Sequence, residues 1–426
     1  MIPTVLLGSL ALLFVIHTPV ALAIGLASLL AFVVKGDFSL LTVVQRLYAG
    51  VDSFPLMAVP LFMCAGEIME AGGISRRIVN LADALVGWLP GGMAAVAIVS
   101  SMFFAGISGS SAADTAAVGT IMLPAMIRGG YERSFASAVQ ASGGSLGVII
   151  PPSIPMIIFG FLTGASIGKL FVAGILPGLL IGTSLIALAT VLCRQRHYGA
   201  TTGFSWRRVV FTAWDSKWAL GAPVVILGGI LGGIFTATES AAVAVLYALF
   251  VGFCVHRQLR LPNLPQLFIR AAVTAGVVMF IIATASVFSW IMAVEHIPEM
   301  IATQFLALTQ NPTVLLLMIN LLLLLAGCFI ETTAALILLV PVLLPVLPRL
   351  PIDAVQLGAI VVVNLAIGML TPPLGICLFV ACSISGARIE DTVRSILPFL
   401  GLLLVDLMII TFWDPMTAWL PGLFYR

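Results

Sequence analysis

Four short polar stretches interrupt an otherwise apolar chain, and all four are rich in groups that can bind ions. Two carry hydroxyl or carboxylate residues, at 108–111 (SGSS) and 331–333 (ETT); we call them the first and second tips. Two end in a proline pair, at 147–152 (GVIIPP) and 368–373 (GMLTPP); we call them the first and second breaks. Prolines free carbonyl oxygens, which together with hydroxyls suit a hard alkali cation, and nearby helix N-termini favour an anion. The four stretches therefore predict joint binding of a cation and an anion.

The sequence around the first tip predicts a helical hairpin that enters a membrane without crossing it. Residues 93–105 are almost wholly apolar, but as a helix they would span only roughly 20 Å. Residues 116–127 form a similarly short arm, and residues 106–115 (GISGSSAADT) form the turn between the two arms. Neither arm reaches across a hydrocarbon core of about 30 Å. Irregular backbone at that depth is tolerated where protein buries it or where it lines a wet cavity, which predicts a binding site.

The composition indicates a polytopic membrane protein. Of 426 residues, 61% are hydrophobic and 8% are charged, whereas soluble domains carry about 25% charged residues. The net charge of +2 gives no indication of nucleic-acid binding. Apolar sequence begins at Ile2 with no basic region before it, so no cleavable signal peptide is predicted. The six cysteines lack metal-site spacing and are predicted to be packing residues.

Breaks and amphipathic stretches divide the first half of the chain into short segments. His17-Thr18-Pro19 splits the first apolar run, and the first break interrupts a later one. Segments with one polar face are predicted to lie in the membrane interface. The predicted segments are two short helices within 2–34, an interfacial helix at 38–49, a crossing at 55–69, an interfacial helix at 74–88, the hairpin, an interrupted helix at 134–162 and a crossing at 170–193.

The second half of the chain repeats the first at a shift of 221 residues. Four prolines and two glycines fall into register without a gap, which chance does not explain even in an apolar composition. Repeats with interrupted helices in matching positions indicate the binding site of a secondary transporter. The matched pairs are Gly106 with Gly327, Pro124 with Pro345, Gly147 with Gly368, Pro151-Pro152 with Pro372-Pro373 and Pro177 with Pro398.

The repeat predicts an all-α membrane protein built from two inverted-topology repeats, each with a re-entrant hairpin and an interrupted helix. Scaffold helices are predicted at 1–90 and, after a cytoplasmic loop, at 194–312. The transport parts are predicted at 91–193 and at 313–426, with the second hairpin at 313–347. Each half crosses the membrane five times in this arrangement, so the halves are inverted and both termini are external.

The distribution of positive charge supports the inverted arrangement. Fourteen Lys and Arg residues then share one face and five share the other, accounting for all 19. The richer face is predicted to be cytoplasmic. That face carries Arg76, Arg77, Arg128, Arg133, Arg194, Arg196, Arg207, Arg208, Lys217, Arg257, Arg260, Arg270, Arg388 and Arg394; the other carries Lys35, Arg46, Lys169, Arg349 and Arg426.

Several polar residues invite individual predictions. Ser111 and Asp114 match an S-x-x-D capping box, which favours a capping role for Asp114 over substrate contact. Glu331 is costly to place within a membrane and is predicted to be functional. Glu239 and His17, each beside a helix break, are predicted to be structural. Asp406 is predicted to make a packing or partner contact, and a proton role stays open.

These motifs resemble the large membrane subunit of tripartite ATP-independent periplasmic (TRAP) transporters, the DctM/SiaM type. The resemblance rests on residues 105–114 (AGISGSSAAD), 150–155 (IPPSIP) and 371–375 (TPPLG), and it extends over essentially the whole chain. It implies a Na⁺-driven elevator in the bacterial inner membrane that imports organic acids such as C4-dicarboxylates or sialic acid. It also implies a separate small four-helix membrane subunit and a periplasmic substrate-binding protein.

The resemblance further implies two Na⁺ sites and no organic cofactor. Each site joins a tip to a break, partly through backbone carbonyls. The implied residues are Ser108, Ser110, Gly147, Ile150 and Pro152 for the first site, and Glu331, Thr332, Gly368, Thr371 and Pro373 for the second. Candidate substrate contacts are Ser111, Asp114, Glu331 and Thr333.

Two alternatives remain open from the sequence. A stand-alone Na⁺/dicarboxylate symporter of related architecture would need no binding protein. An intramembrane serine protease would match residues 106–109 (GISG), but a serine nucleophile needs a base, and only His17 lies near a membrane break.

Overall fold

The computed structural model describes residues 2–36, 39–200 and 203–425, and all regular secondary structure in these ranges is helical. Phe38 in the first interfacial segment and Arg426 on the external face lie outside the described residues. Serine caps and left-handed glycines mark many helix ends. The Ser39, Ser153 and Ser166 side chains accept first-turn N–H groups, and Gly36 and Gly164 end helices at φ +73°.

The first half of the chain forms ten α-helices in the described ranges. Helices form at the predicted segments, and the first apolar run divides at His17, which has a φ of 59°; the crossing or interfacial placement of these helices stays a prediction. The helices are α1 Ile2–Val15, α2 Val20–Lys35, α3 Leu40–Val51, α4 Ala58–Ala71, α5 Ile74–Val86, α6 Gly92–Ser108, α7 Ser111–Arg128, α8 Arg133–Gly144, α9 Ile154–Thr163 and α10 Ile167–Gln195, with 3-10 turns at Pro55–Met57 and Ser145–Val148.

The second half runs in a matching order after one extra connecting helix, α11. Its described helices are α11 Trp206–Asp215, α12 Lys217–Leu231, α13 Ala237–Phe250, α14 Leu264–Val294, α15 Ile297–Leu308, α16 Pro312–Phe329, α17 Thr332–Leu343, α18 Ala354–Gly368, α19 Ile376–Ser385, α20 Ile389–Phe412 and α21 Pro415–Phe424, with a π turn at Val251–Val255 and 3-10 turns at Leu261–Asn263 and Leu347–Arg349. The bounds of α6 to α9 and of α16 to α19 correspond closely at the shift of 221 residues.

The two halves pack reciprocally. Helix α7 of the first hairpin packs on α19 of the other half, and α17 of the second hairpin packs on α9. The pairs α8–α20 and α18–α10 correspond in the same way, as do α4–α13 and α14–α2. Exchange of partners between equivalent helices is what a two-fold relation between repeats produces.

One element differs between the halves. Helices α3 and α4 meet at a bend of 66°, whereas their counterpart α14 is a single helix of 31 residues. The bend coincides with Pro55, which lacks an N–H and starts a new helical segment. Helix α14 contains no proline after Pro265 in its first turn, so its helix hydrogen bonds continue.

Few helices are long enough to span a membrane alone. In the described part of the chain five qualify by length and composition, or six if the bent pair α3–α4 is one span. Most of the others are shorter apolar helices of 10–17 residues, as the sequence predicted for the broken segments. The five are at Ile167–Gln195, Ala237–Val255, Leu261–Val294, Pro312–Phe329 and Ile389–Phe412.

The first hairpin folds back on itself, but its turn is tighter than predicted. Met93 near the start of α6 lies against Gly129 after α7, since a Cβ on Gly129 would lie 2.9 Å from Met93 Sδ. The ten-residue turn predicted at 106–115 is wrong: helix continues to Ser108 and resumes at Ser111. Gly109, at φ +66°, allows this reversal in two residues.

Candidate functional site

The first tip and the first break are in direct contact. The Ile154 N–H donates to the Gly109 carbonyl at 3.2 Å, and Ser111 Oγ donates to the Ser145 carbonyl at 3.0 Å. A Cβ on Gly109 would lie 2.8 Å from the Pro152 carbonyl oxygen. The hairpin turn is therefore held by backbone of the interrupted helix, as the sequence predicted.

Asp114 lies at the centre of this contact, and its predicted capping role is wrong. The N-cap of α7 is Ser110, whose side chain accepts from the Ala113 N–H at 3.5 Å. Asp114 is fully buried, and its Oδ1 accepts a hydrogen bond from Ser108 Oγ. Its Oδ2 has no hydrogen-bond partner in the part of the chain that the structure describes. A buried carboxylate with one unpaired oxygen requires a cation or a proton.

Gly147 allows Asp114 to approach the break. A Cβ at Gly147 would lie 2.5 Å from Asp114 Oδ2 and 2.8 Å from the Ser110 carbonyl oxygen. The structure thus brings together Ser110, Asp114 and Gly147, with Ser108 hydrogen-bonded to the carboxylate. The Ile150 side chain points elsewhere, because it packs on α10 where a Cβ on Gly178 would meet its Cγ1 at 2.5 Å.

The second break meets the end of α16, just before the second tip, through glycine backbones. A Cβ on Gly368 would lie 2.5 Å from Gly327 Cα, and the Leu374 N–H donates to the Cys328 carbonyl at 3.1 Å. Thr332 Oγ1 lies 3.0 Å from Met369 Sδ, and Thr371 Oγ1 donates to the Ile367 carbonyl at 3.0 Å. The proline pairs of both breaks, Pro151-Pro152 and Pro372-Pro373, are joined by cis peptide bonds.

Glu331 has the local role that the sequence assigned to Asp114. Its side chain caps α17 by accepting the N–H groups of Thr333 at 2.8 Å and of Ala334 at 3.3 Å. Its other oxygen accepts from Thr333 Oγ1 at 3.1 Å. Both carboxylate oxygens therefore have partners within the tip, in contrast to those of Asp114.

A cavity of about 230 Å³ reaches the first tip from the side of α4 and α14. Ser108 and Ser110 line it, together with Glu67 and Glu70 of α4 and Thr274 of α14. The second tip contributes no lining residue to this cavity, which is formed at the first tip. Glu67 and Glu70 were not predicted as site residues; their spacing of three residues places them on one face of an apolar helix, a pattern visible in the sequence.

The remaining polar residues behave structurally, as predicted. Glu239 forms a reciprocal capping box with Thr236 at the start of α13. Asp406 Oδ2 on α20 accepts a hydrogen bond from Ser184 Oγ on α10 at 2.6 Å. All six cysteines are free thiols; the packing role is wrong for Cys254, which is exposed, whereas the others are buried or half-buried. Ser108 Oγ bonds to Asp114 and to the Ser110 carbonyl, and no histidine ring is among its hydrogen-bond partners in the described ranges, so the serine protease alternative gains no support.

Comparisons with known proteins agree with this arrangement. A family described as "Tripartite ATP-independent periplasmic transporter, DctM component" matches residues 7–416. The chain is 44% identical over 409 residues to the isethionate TRAP transporter permease protein DctMQ of Oleidesulfovibrio alaskensis, covering 96% of this chain and 64% of that protein. It is 39% identical to the C4-dicarboxylate TRAP transporter large permease protein DctM of Pseudomonas aeruginosa, covering 94% of each. It is also 38% identical to the sialic acid TRAP transporter large permease protein SiaM of Vibrio cholerae, covering 98% and 97%.

A solved structure has the same fold. The YdaH transporter of Alcanivorax borkumensis, described as having an unusual topology, matches with a TM-score of 0.61 at 16% identity over 89% of this chain and 88% of that one. The likeness of fold and the match over nearly the whole chain lead to one conclusion: this polytopic membrane protein belongs to the DctM family of TRAP transporter large permease subunits.

Proposed function

We propose that this chain couples Na⁺ entry to the import of an organic acid by an elevator movement, as the membrane carrier of a tripartite system in the bacterial inner membrane. The observation that carries the proposal is the unpaired Oδ2 of Asp114, fully buried between the first tip and the first break. A monovalent cation there would offset the cost of burying the carboxylate.

The proposed cation ligands are oxygens that already converge on this point. Asp114 Oδ2 and the Ser110 carbonyl both lie within 3 Å of the position of a Cβ on Gly147. The Pro152 carbonyl faces the turn at Gly109, and Ser108 orients the carboxylate through its hydrogen bond to Oδ1. Unwound carbonyls and half-helix ends coordinate Na⁺ in transporters of this general design. Asp114 therefore joins the proposed first Na⁺ site instead of the substrate contacts.

The substrate is proposed to bind where α7 begins. The N-terminus of α7 carries partial positive charge, which favours an anionic group beside Ser110, on the wall of the cavity opposite the carboxylates of Glu67 and Glu70 on α4. The named substrates of the relatives are isethionate, a C4-dicarboxylate and sialic acid, all of which are organic acids. We propose a substrate of that class, with Ser111 and Thr333 as further candidate contacts.

A second Na⁺ site is proposed at the second tip and break, with Glu331, Thr332, Gly368, Thr371 and Pro373. The partners are proposed from the family: a small four-helix membrane subunit and a periplasmic binding protein. One charge moved through 100 mV is worth about 2.3 kcal/mol. Two Na⁺ with a monoanion would therefore use the membrane potential, whereas two Na⁺ with a dianion would use only the sodium gradient.

Reconstituted uptake tests the proposal. Proteoliposomes with this chain, the small subunit and a loaded binding protein should take up an organic acid only under an inward Na⁺ gradient. S108A and D114N should raise the Na⁺ concentration for half-maximal uptake roughly tenfold, since a hydrogen bond to a charged group is worth about 1.5–3 kcal/mol. The matched control is S142A on α8, which removes a buried hydroxyl that bonds only to its own helix at the Ala138 carbonyl.

Two outcomes would count against the proposal. Unchanged Na⁺ dependence in both S108A and D114N, with normal folding, would exclude the first site. Equal uptake with and without the binding protein would instead favour the stand-alone symporter.

A further inference from the structure

The helix that connects the two halves, α11, has one face with no partner in the part of the chain that the structure describes. Val209 is its only buried residue. We call the opposite side the connector face; it consists of Trp206, Arg207, Val210, Phe211 and Trp214, which lie within about 140° of arc. Trp206, Phe211 and Trp214 are 69%, 73% and 71% exposed. Three large aromatic rings on one short helix thus point away from the protein.

Polar contacts on the other side of α11 fix this orientation. Arg208 forms an ion pair with Asp83 of α5. Ser216 Oγ donates to the Arg77 carbonyl at 3.0 Å, and Arg77 Nε lies 3.7 Å from Asp215 Oδ2. Helix α11 cannot roll to bury its aromatic rings without breaking these contacts with α5.

The aromatic surface extends beyond α11. Phe204 lies edge-on to Trp88 at 5.9 Å between ring centroids, and it lies 5.9 Å from Trp206. All three rings are at least 45% exposed. Tryptophan is enriched at the membrane–water interface, where its ring and its N–H meet apolar and polar surroundings at once.

Cations flank these rings. Lys217 Nζ lies 3.5 Å from the centroid of the Trp214 ring. Arg207 forms no ion pair with any described residue, and the two nearby carboxylates, Asp83 and Asp215, already face Arg208 and Arg77. Residues 194–217 contain five Lys and Arg residues and one acidic residue, Asp215. Exposed aromatic rings beside unpaired cations suit a surface that is apolar and anionic at once.

We propose that the connector face lies in the cytoplasmic leaflet and binds the phosphate of an anionic phospholipid through Arg207 and Lys217. The rings of Trp206, Phe211 and Trp214 then occupy the boundary between headgroups and acyl chains. Each cation near the surface raises the affinity of a basic amphipathic helix for anionic lipid about fivefold. Helix α11 is bonded to α5, and α5 leads into the first hairpin. A lipid bound to α11 would therefore fix the scaffold beside the predicted transport part. The inference depends on the predicted orientation and is independent of Na⁺ coupling.

Tryptophan quenching in nanodiscs tests the proposal with the full chain. The emission of W206F/W214F is subtracted from that of the unsubstituted protein, and the difference is the emission of Trp206 and Trp214 alone. Phosphatidylglycerol with brominated acyl chains should quench this emission more than brominated phosphatidylcholine at the same mole fraction. R207A/K217A should abolish the difference. The matched control, R260A/R394A, removes two other exposed arginines and should retain it.

The outcomes separate the alternatives. Equal quenching by both lipids would show insertion without headgroup recognition and would overturn the proposed phosphate site. No quenching by either lipid would show that the face lies outside the membrane, and would point to a protein partner instead. Thermal unfolding of each variant in detergent confirms that it is folded before it is compared.

Discussion

Gly147 and Gly368 are positions where one added methyl group has no room. A Cβ at Gly147 would lie 2.5 Å from Asp114 Oδ2, and one at Gly368 would lie 2.5 Å from Gly327 Cα. We expect G147A and G368A each to cost about 1–3 kcal/mol of stability, because overpacking forces backbone to shift. G147A should also weaken Na⁺-dependent stabilisation, since it separates the first tip from the first break. Thermal unfolding with and without Na⁺ measures both effects.

The control for these variants is G401A on α20, where a Cβ would meet nothing within 4 Å. Alanine is a better helix former than glycine, so G401A should be neutral or slightly stabilising. Wild-type stability in G147A and G368A would mean that tip and break are not in contact in the protein.

The half-buried position of His256 predicts that the stability of the protein depends on pH. Burial lowers the pKa of His256 below its usual 6.5, opposed by the hydrogen bond of Nδ1 to the Gly72 carbonyl at 3.0 Å. The unfolded chain therefore binds a proton at higher pH than the folded chain. The contribution of neutral His256 to stability is complete above about pH 6.5 and is lost as pH falls through the pKa of His256 in the folded protein. H256Q, which stays neutral, should flatten the fall in melting temperature below pH 6.5; an equally steep fall in H256Q would assign it to other groups.

Side-chain roles at the tips are the part that the sequence predicts least well. Residue types and their spacing identified Asp114 and Glu331 as important. They predicted that Asp114 caps a helix, whereas Glu331 does so. The capping prediction for Asp114 assumed that α7 begins after Ser111, whereas Ser110 is its N-cap. A shift of one residue at a helix start decides whether a carboxylate caps the helix or faces the neighbouring break, and no pattern in a single sequence sets that boundary.

At the scale of helices, the breaks and the repeat were predictable, because prolines and glycines interrupt helices and recur at matching positions in the two halves. Both interrupted helices, the division at His17 and the presence, but not the extent, of the first hairpin turn follow from those residues. The continuity of α14 is consistent with the absence of proline after Pro265 in its first turn. The sequence did not predict that the two tips have different surroundings, because those surroundings depend on how α7 and α17 pack against the opposite half.

The hydrogen bond between Ser184 on α10 and Asp406 on α20 joins the last long helix of each half. Without the hydroxyl, the buried Asp406 carboxylate loses a donor, so S184A should cost about 1–3 kcal/mol in thermal unfolding. The adjacent T183A is the control, because Thr183 is exposed and bonds only within its own helix. D406N should keep the transport rate and its pH profile; a shifted profile would instead give Asp406 a role in proton transfer.

For the whole molecule, the five crossings predicted for each half place equivalent positions on opposite faces of the membrane. Arg128 and Arg349 are such a pair, 221 residues apart, and both are exposed. Arg128 ends the first hairpin on the predicted cytoplasmic face, and Arg349 ends the second on the predicted external face. A parallel arrangement of the halves would place both residues on the same side.

Cysteine labelling distinguishes the two arrangements. In a background in which the exposed Cys254 is replaced by alanine, R349C should react with a membrane-impermeant maleimide added to spheroplasts, and R128C should react only after permeabilisation. R260C provides a second position on the predicted cytoplasmic face. Labelling of R128C and R349C from the same side would contradict the inverted arrangement of the two halves. The two tips would then approach from one face, and an elevator that presents each tip to a different compartment could not operate.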